Sequence, residues 1–226
     1  MKKSVYFDLL SAMADPTYAA FQARLMPTVK REKILGVRMP AVRALAHRLR
    51  GDPAREEFLS DLPHAYYDED NLHAFLLMEE RDFGETVRQL DAFLPCIDNW
   101  ATCDSLTPKC FSRHLDELLP AVERWLASSH VYTRRFGIEM LMKFYLDDAF
   151  SPAYLARVAA LDTPDYYLET MVAWYFATAL AKQYEATLPY FREGRLSPAV
   201  RKRAIRKAQE SYRLSPAEKA EVRAYL

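Results

Sequence analysis

The stretch "MPAVRALAHRLRG", residues 39–51, decides how the rest of the chain is read. Val42, Leu45, Ala46 and Leu49 recur at i, i+3, i+4 and i+7, so they share one face of a helix and no face of a strand. Pro40 falls in the first turn, where a missing N–H costs nothing, and Gly51 supplies the stop. "DEDNLHAFLLMEE", residues 68–80, repeats the pattern: acidic residues suit the positive end of a helix, and Leu72, Phe75 and Leu76 follow round the cylinder. Further helical segments are readable around 53–62, 82–94, 114–127, 130–146, 151–161, 165–183, 184–193, 197–211 and 215–225. No stretch alternates with period two for long enough to make a strand. The chain is predicted to be all-α.

The longer order is a repeat. Helix starts near Asp70, Asn99, Tyr132, Tyr166 and Pro198 lie about 29 to 34 residues apart, the period of stacked helix pairs of the HEAT or armadillo kind. Such units bury their apolar faces against each other. The expectation is a right-handed α-solenoid of HEAT-like pairs with a concave face. With no linker, low-complexity tract or shift in composition, residues 1–226 read as a single domain.

Composition agrees with helices. Among 226 residues only 5 are glycine, too few for the turns and bulges of a sheet protein, while 13 prolines suit many short helices. Half the residues are hydrophobic and 27% are charged, which describes a folded chain rather than a disordered one. The 31 basic and 31 acidic residues cancel, so a bulk polycation is excluded while a local basic face is not. Cys96, Cys103 and Cys110 lie too close together for a disulfide framework. Reduced thiols in a cytoplasmic protein are the better reading. The N-terminus lacks the apolar core of a signal peptide, no run approaches the ~20 residues that span a bilayer, and the stack needs no second copy, so a monomer without membrane contact is expected.

The segment that invites chemistry is "CIDNWATCDSLTPKC", residues 96–110. On a helix, Trp100 and Asp104 would project side by side. Trp174 follows in "YYLETMVAWYFATAL", and "VYTRRFGIEMLMKFY" offers Arg134 and Arg135 at a helix start. If successive inner helices line one surface, Trp100, Asp104, Arg135 and Trp174 converge there. Indole faces attract cations and electron-poor C–H groups. A carboxylate beside them can position water and offset positive charge. That combination suits an oxocarbenium-like transition state, and one carboxylate suffices when the leaving group is already cationic.

At this point the chain resembles the bacterial DNA alkylation repair enzymes built from HEAT-like repeats, the AlkD-type glycosylases. The resemblance rests on "ILGVRMPAVRALAHRL", "NWATCDSL", "YTRRFGIEML", "YYLETMVAWYF" and "AIRKAQESYRLSPAEKAEVRAYL", in that order over most of the length. It implies hydrolysis of the N-glycosidic bond of cationic N3- and N7-alkylpurines in double-stranded DNA, without cofactor or metal. It also implies that Asp104 is the catalytic carboxylate, that Trp100 and Trp174 contact the sugar, that Arg135, at a helix start, binds the DNA, and that the lesion is not drawn into a pocket. Two departures stand out. Glu169 and Thr170 occupy positions where a basic or polar residue is usual, and no arginine follows Trp174. Both remove phosphate contacts, which supply most of the affinity of a DNA-binding surface.

The remaining features divide between plain and functional readings. Trp125 reads as core, and the cysteines as small buried hydrophobes. The five histidines are scattered singly, and no phosphate loop, nucleophile elbow or zinc pattern occurs. Arg38 and Arg43, at the start of an early inner helix, together with Arg134, are candidate phosphate contacts. The cluster from Arg201 to Arg213 reads either as a solvated helix packing through Ala204, Ile205 and Ala208 or as a grip on DNA. A second function class also fits, a non-catalytic HEAT-like protein that binds DNA or a protein partner along its concave face.

Overall fold

The computed structural model describes residues 3–226. Among them are fourteen α-helices, three short 3-10 turns and no strand, so the all-α expectation holds. The chain divides into two compact units, residues 1–114 and 115–226.

The first unit holds α1 (Phe7–Ser11), α2 (Pro16–Leu25), α3 (Met39–Leu49), α4 (Arg55–Ser60), α5 (Tyr67–Met78), α6 (Phe83–Phe93) and α7 (Trp100–Ser105). Helix α5 is its axis and packs against α1, α3, α6 and α7. Every residue from Tyr67 to Leu77 is buried, including the acidic start that sequence alone would leave in solvent. Two of those acids are held inside by backbone donors, and the third is inside at a cost to its charge. Asp68 accepts hydrogen bonds from the backbone N–H groups of Leu35 at 2.7 Å, Val37 at 2.7 Å and Gly36 at 3.4 Å, so it clasps the loop that leads into α3. Glu69 Oε2 accepts from the N–H groups of Ala65 and Tyr66 and closes the helix start. Burial lifts Asp70 well above the usual carboxylate range, and the nearby Asp98 and Glu69 push the same way.

Gly36 is demanded twice in that loop. Its φ of +88° is left-handed, and a Cβ there would lie 2.3 Å from the Asp15 carbonyl oxygen. On the far side of α5, His64 and His73 form a buried pair with their ring nitrogens 2.8 Å apart. His64 stacks on Phe58 and His73 on Phe93, with centroid separations of 4.5 Å and 3.9 Å. Burial holds His64 at about 4 and His73 well below its ordinary value, so both are neutral in the fold.

The second unit holds α8 (Leu115–Leu126), α9 (Val131–Phe144), α10 (Pro152–Ala159), α11 (Tyr166–Lys182), α12 (Tyr184–Arg192), α13 (Pro198–Glu210) and α14 (Pro216–Arg223). Neighbours in sequence pack as pairs, α8 on α9 and α10 on α11, while α9, α11 and α13 pack in series. Gly137 lets α9 approach α8, since a Cβ there would meet Leu126 side-chain and backbone atoms at 3.1 to 3.2 Å. Trp125 is core as expected, 3% exposed and edge-on to Phe136. Cys103 and Cys110 are buried and Cys96 is half-buried, and none of the three is in a disulfide.

Candidate functional site

Helix α7 is short because its sequence gives it one firm start and an early end. Asn99 caps it, its side-chain oxygen accepting from the Thr102 N–H at 2.8 Å. Thr102 in turn donates to buried Asn71 on α5 at 2.9 Å, which fixes the rotation of α7 about its axis. Pro108 lies just beyond its C-terminal end and cannot continue it. With the helix so held, Trp100 occupies the first helical position and Asp104 comes one turn later, both half-buried.

The indole of Trp100 is fastened at both ends. Its Nε1–H donates to the Leu25 carbonyl at the end of α2 at 3.3 Å. Its ring packs on the buried cluster of Ala19, Met26, Val29, Ile34 and Tyr67. Beside it opens a hollow of about 270 Å³ lined by Tyr18, Phe21, Leu25 and Met39. The ring cannot swing away without breaking these contacts. A half-buried carboxylate one turn from an immobilised aromatic face can hold a water or a developing positive charge against that face.

Of the other candidates in this unit, Arg38 precedes α3 as its N-cap residue and Arg43 lies on the exposed side of that helix. Arg38 sits 4.2 Å over the Tyr18 ring and pairs with Asp15 at 3.1 Å. The Tyr18 backbone N–H and then Arg38 hold the Asp15 carboxyl below its usual range. Arg43 lies 4.6 Å over the Phe75 ring. Both guanidinium groups are accessible to an anion.

In the second unit, Trp174 is in the middle of α11 and 37% exposed. The Lys207 ammonium stands 5.9 Å from its ring centroid. Arg135 departs from expectation in one respect: it is buried, 6% exposed, and donates from Nη1 to the Tyr167 carbonyl at 2.6 Å and to Thr170 Oγ1 at 3.3 Å. Its guanidinium ties α9 to the helix that carries Trp174, while the neighbouring Arg134 of α9 is the one nearer solvent. Arg134 is half-buried and reaches the Asp162 carbonyl at 2.7 Å.

One feature escaped sequence reasoning. Glu169, the acid in place of a basic residue, is bound to Arg203 of α13, whose guanidinium also lies 4.7 Å over the Tyr166 ring. Its charge is therefore largely offset within the protein. The signal was present as Arg203 and Lys207, spaced i and i+4, facing Tyr166 and Trp174, spaced i and i+8. It becomes readable only once α13 is known to pack on α11. Within the Arg201–Arg213 cluster, Ala204, Ile205 and Ala208 are fully buried while Arg203 and Lys207 flank the aromatic rings, so the packing and the basic faces coexist on one helix.

No helix among the described residues is long and apolar enough to cross a membrane. A search of curated proteins returns no match. A family model described as DNA alkylation repair enzyme matches residues 8–208, which takes in α7, both arginines of α9, Trp174 and nearly all of α13. By the breadth of that match, the chain belongs to the DNA alkylation repair enzyme family.

Proposed function

We propose that the protein is a DNA glycosylase that hydrolyses the N-glycosidic bond of cationic N3- and N7-alkylpurines in duplex DNA. The observation that carries this reading is the pair on α7: a half-buried carboxylate, Asp104, one turn from an indole, Trp100, whose orientation is pinned by the Leu25 carbonyl. An alkylated purine bears a positive charge and departs neutral, so its leaving needs no general acid. Positive charge moves instead onto the sugar as the bond lengthens. Asp104 offsets that charge and orients the attacking water, whose oxygen bonds to the anomeric carbon as the purine takes the bonding pair. The water's proton passes to solvent or to the carboxylate. Trp100 supplies aromatic surface for the deoxyribose beside Asp104, Trp174 offers the duplex an aromatic face of its own, and Arg38, Arg43 and Arg134 contribute phosphate contacts. Arg135 acts by holding α11.

The test is release of 7-methylguanine or 3-methyladenine from methylated duplex DNA. Asp104→Asn, which keeps the volume and removes the charge, is expected to lower the rate by ~10²–10³-fold while leaving duplex binding intact. Unchanged release in that variant removes Asp104 from the chemistry. No release by the wild type, with duplex binding retained, favours the non-catalytic DNA-binding member of the fold.

A further inference from the structure

A groove of about 560 Å³ runs along the C-terminal half of α11. Its floor is Trp174, Ala177, Thr178 and Ala181, residues at i, i+3, i+4 and i+7, and therefore one face of the helix. The small side chains leave room where a long one would fill it. Four cations stand along the walls: Lys143 from α9, Lys182 from the end of α11, Lys207 from α13, and Arg213 beyond it.

The four differ in what already holds them. Lys143 pairs with Glu139 at 2.7 Å and Lys182 with Asp147 at 2.5 Å. Neither Lys207 nor Arg213 is paired with a carboxylate among the described residues, and both are exposed. One acid, Glu210, lines the groove and subtracts from their field. Lys207 is further oriented by the Trp174 ring, which keeps its ammonium near the indole rather than out in solvent.

We propose that this groove is a phosphodiester subsite, in which Lys207 and Arg213 hold the backbone of a DNA strand next to the nucleotide that meets Trp174. The inference rests on the glycosylase reading for its substrate class but assigns residues that reading does not need. A flat aromatic wall over a floor of small side chains, with two uncommitted cations at its edge, suits an anion attached to a sugar. The arrangement also accounts for how a chain of zero net charge, lacking an arginine after Trp174, would still grip DNA there.

The experiment is a titration of undamaged duplex, followed by fluorescence anisotropy, over a series of salt concentrations. Lys207→Ala and Arg213→Ala should each lower the slope of log K against log salt by about one, and the double variant should bind roughly tenfold more weakly at fixed salt. Lys202→Ala, which removes the same charge from the solvent side of α13, should leave the slope unchanged. If Lys202→Ala moves the slope as far as Lys207→Ala, only bulk charge is being read and the subsite is overturned. It is equally overturned if the groove variants leave the slope where it was. Inorganic phosphate should displace duplex no better than chloride at equal ionic strength; displacement beyond that would make free phosphate the ligand and refute the strand assignment. Base release separates this inference from the one it rests on. A slope that holds in an enzyme that still releases bases sinks the subsite alone, a slope that falls in a protein that releases none sinks the glycosylase alone, and a wild type that binds no duplex sinks both.

Discussion

Replacing Asp68 by alanine tests how the first unit is held together. The carboxylate accepts two backbone N–H groups at 2.7 Å and a third, weaker one at 3.4 Å, and it is completely buried. A hydrogen bond to a charged acceptor contributes about 1.5–3 kcal/mol, and a buried donor left without a partner costs about 1–3 kcal/mol. Removing the side chain also removes its own desolvation, which is large enough to raise the carboxyl above its usual range despite those donors. Since that desolvation offsets what the charged bonds contribute, the loss comes from the two donors of the short bonds left unpaired, and at about 2 kcal/mol each Asp68→Ala should destabilise the first unit by about 4 kcal/mol. Urea denaturation followed by far-UV circular dichroism measures it, as a lower midpoint at unchanged slope for the transition of that unit. Asp68→Asn retains one acceptor but turns an N–H toward the other donor, so it should fall between wild type and alanine. A loss below about 1 kcal/mol for the alanine variant would show that water satisfies the 35–37 loop, and the clasp would be refuted.

Three further outcomes are expected. Gly137→Ala puts a methyl group 3.1 Å from Leu126 against packed backbone, and should lower the stability of the second unit by about 1–2 kcal/mol in the same assay. His64 and His73 are neutral when folded but titrate near 6.5 in the unfolded chain, so the unfolded state takes up more protons below that point. Their contribution is complete above about pH 6.5 and is lost as pH falls; for His64 the loss runs toward its folded value of about 4 and reaches about 2 kcal/mol by about pH 5, and His73 adds to it in the same direction. Burial of Asp68 and Asp70 acts in the opposite direction in both proteins, so the test is a comparison: His64→Leu with His73→Leu should shrink the drop in melting temperature between about pH 7 and about pH 5. Finally, Glu169→Gln releases Arg203 and removes a negative charge, and should tighten duplex binding roughly two- to tenfold with a steeper salt slope; weaker binding would mean that the pair is needed to hold α13 in place.

Much of the helical order was legible because an amphipathic face leaves a period in the sequence. Val42, Leu45, Ala46 and Leu49 are all buried as their spacing predicts, and α8 through α14 begin and end within a residue or two of the segments read from pattern alone. The helix that misleads is α5. Inside on every side, it has no polar face to reveal, and its acidic start looks like ordinary capping until the loop it clasps is seen. Helix α2 went unread because its apolar residues do not fall on one face: Phe21 and Leu25 are exposed while Gln22 is buried. At the candidate site, the i, i+4 relation of Trp100 and Asp104 is a property of one helix and was visible. The burial of Arg135 and the pairing of Glu169 with Arg203 depend on which helices pack together, and local spacing carries no record of that.

The bond from Trp100 to the Leu25 carbonyl makes two distant stretches of chain answer for one ring. A shortened protein that starts after Met26 would keep the whole of α7, its cap and its carboxylate, yet the indole would lose both its anchor and the Ala19 and Met26 surface beneath it. Trimming the amino-terminal helices would therefore unsettle the aromatic wall beside Asp104 while leaving every residue of that wall's own helix in place.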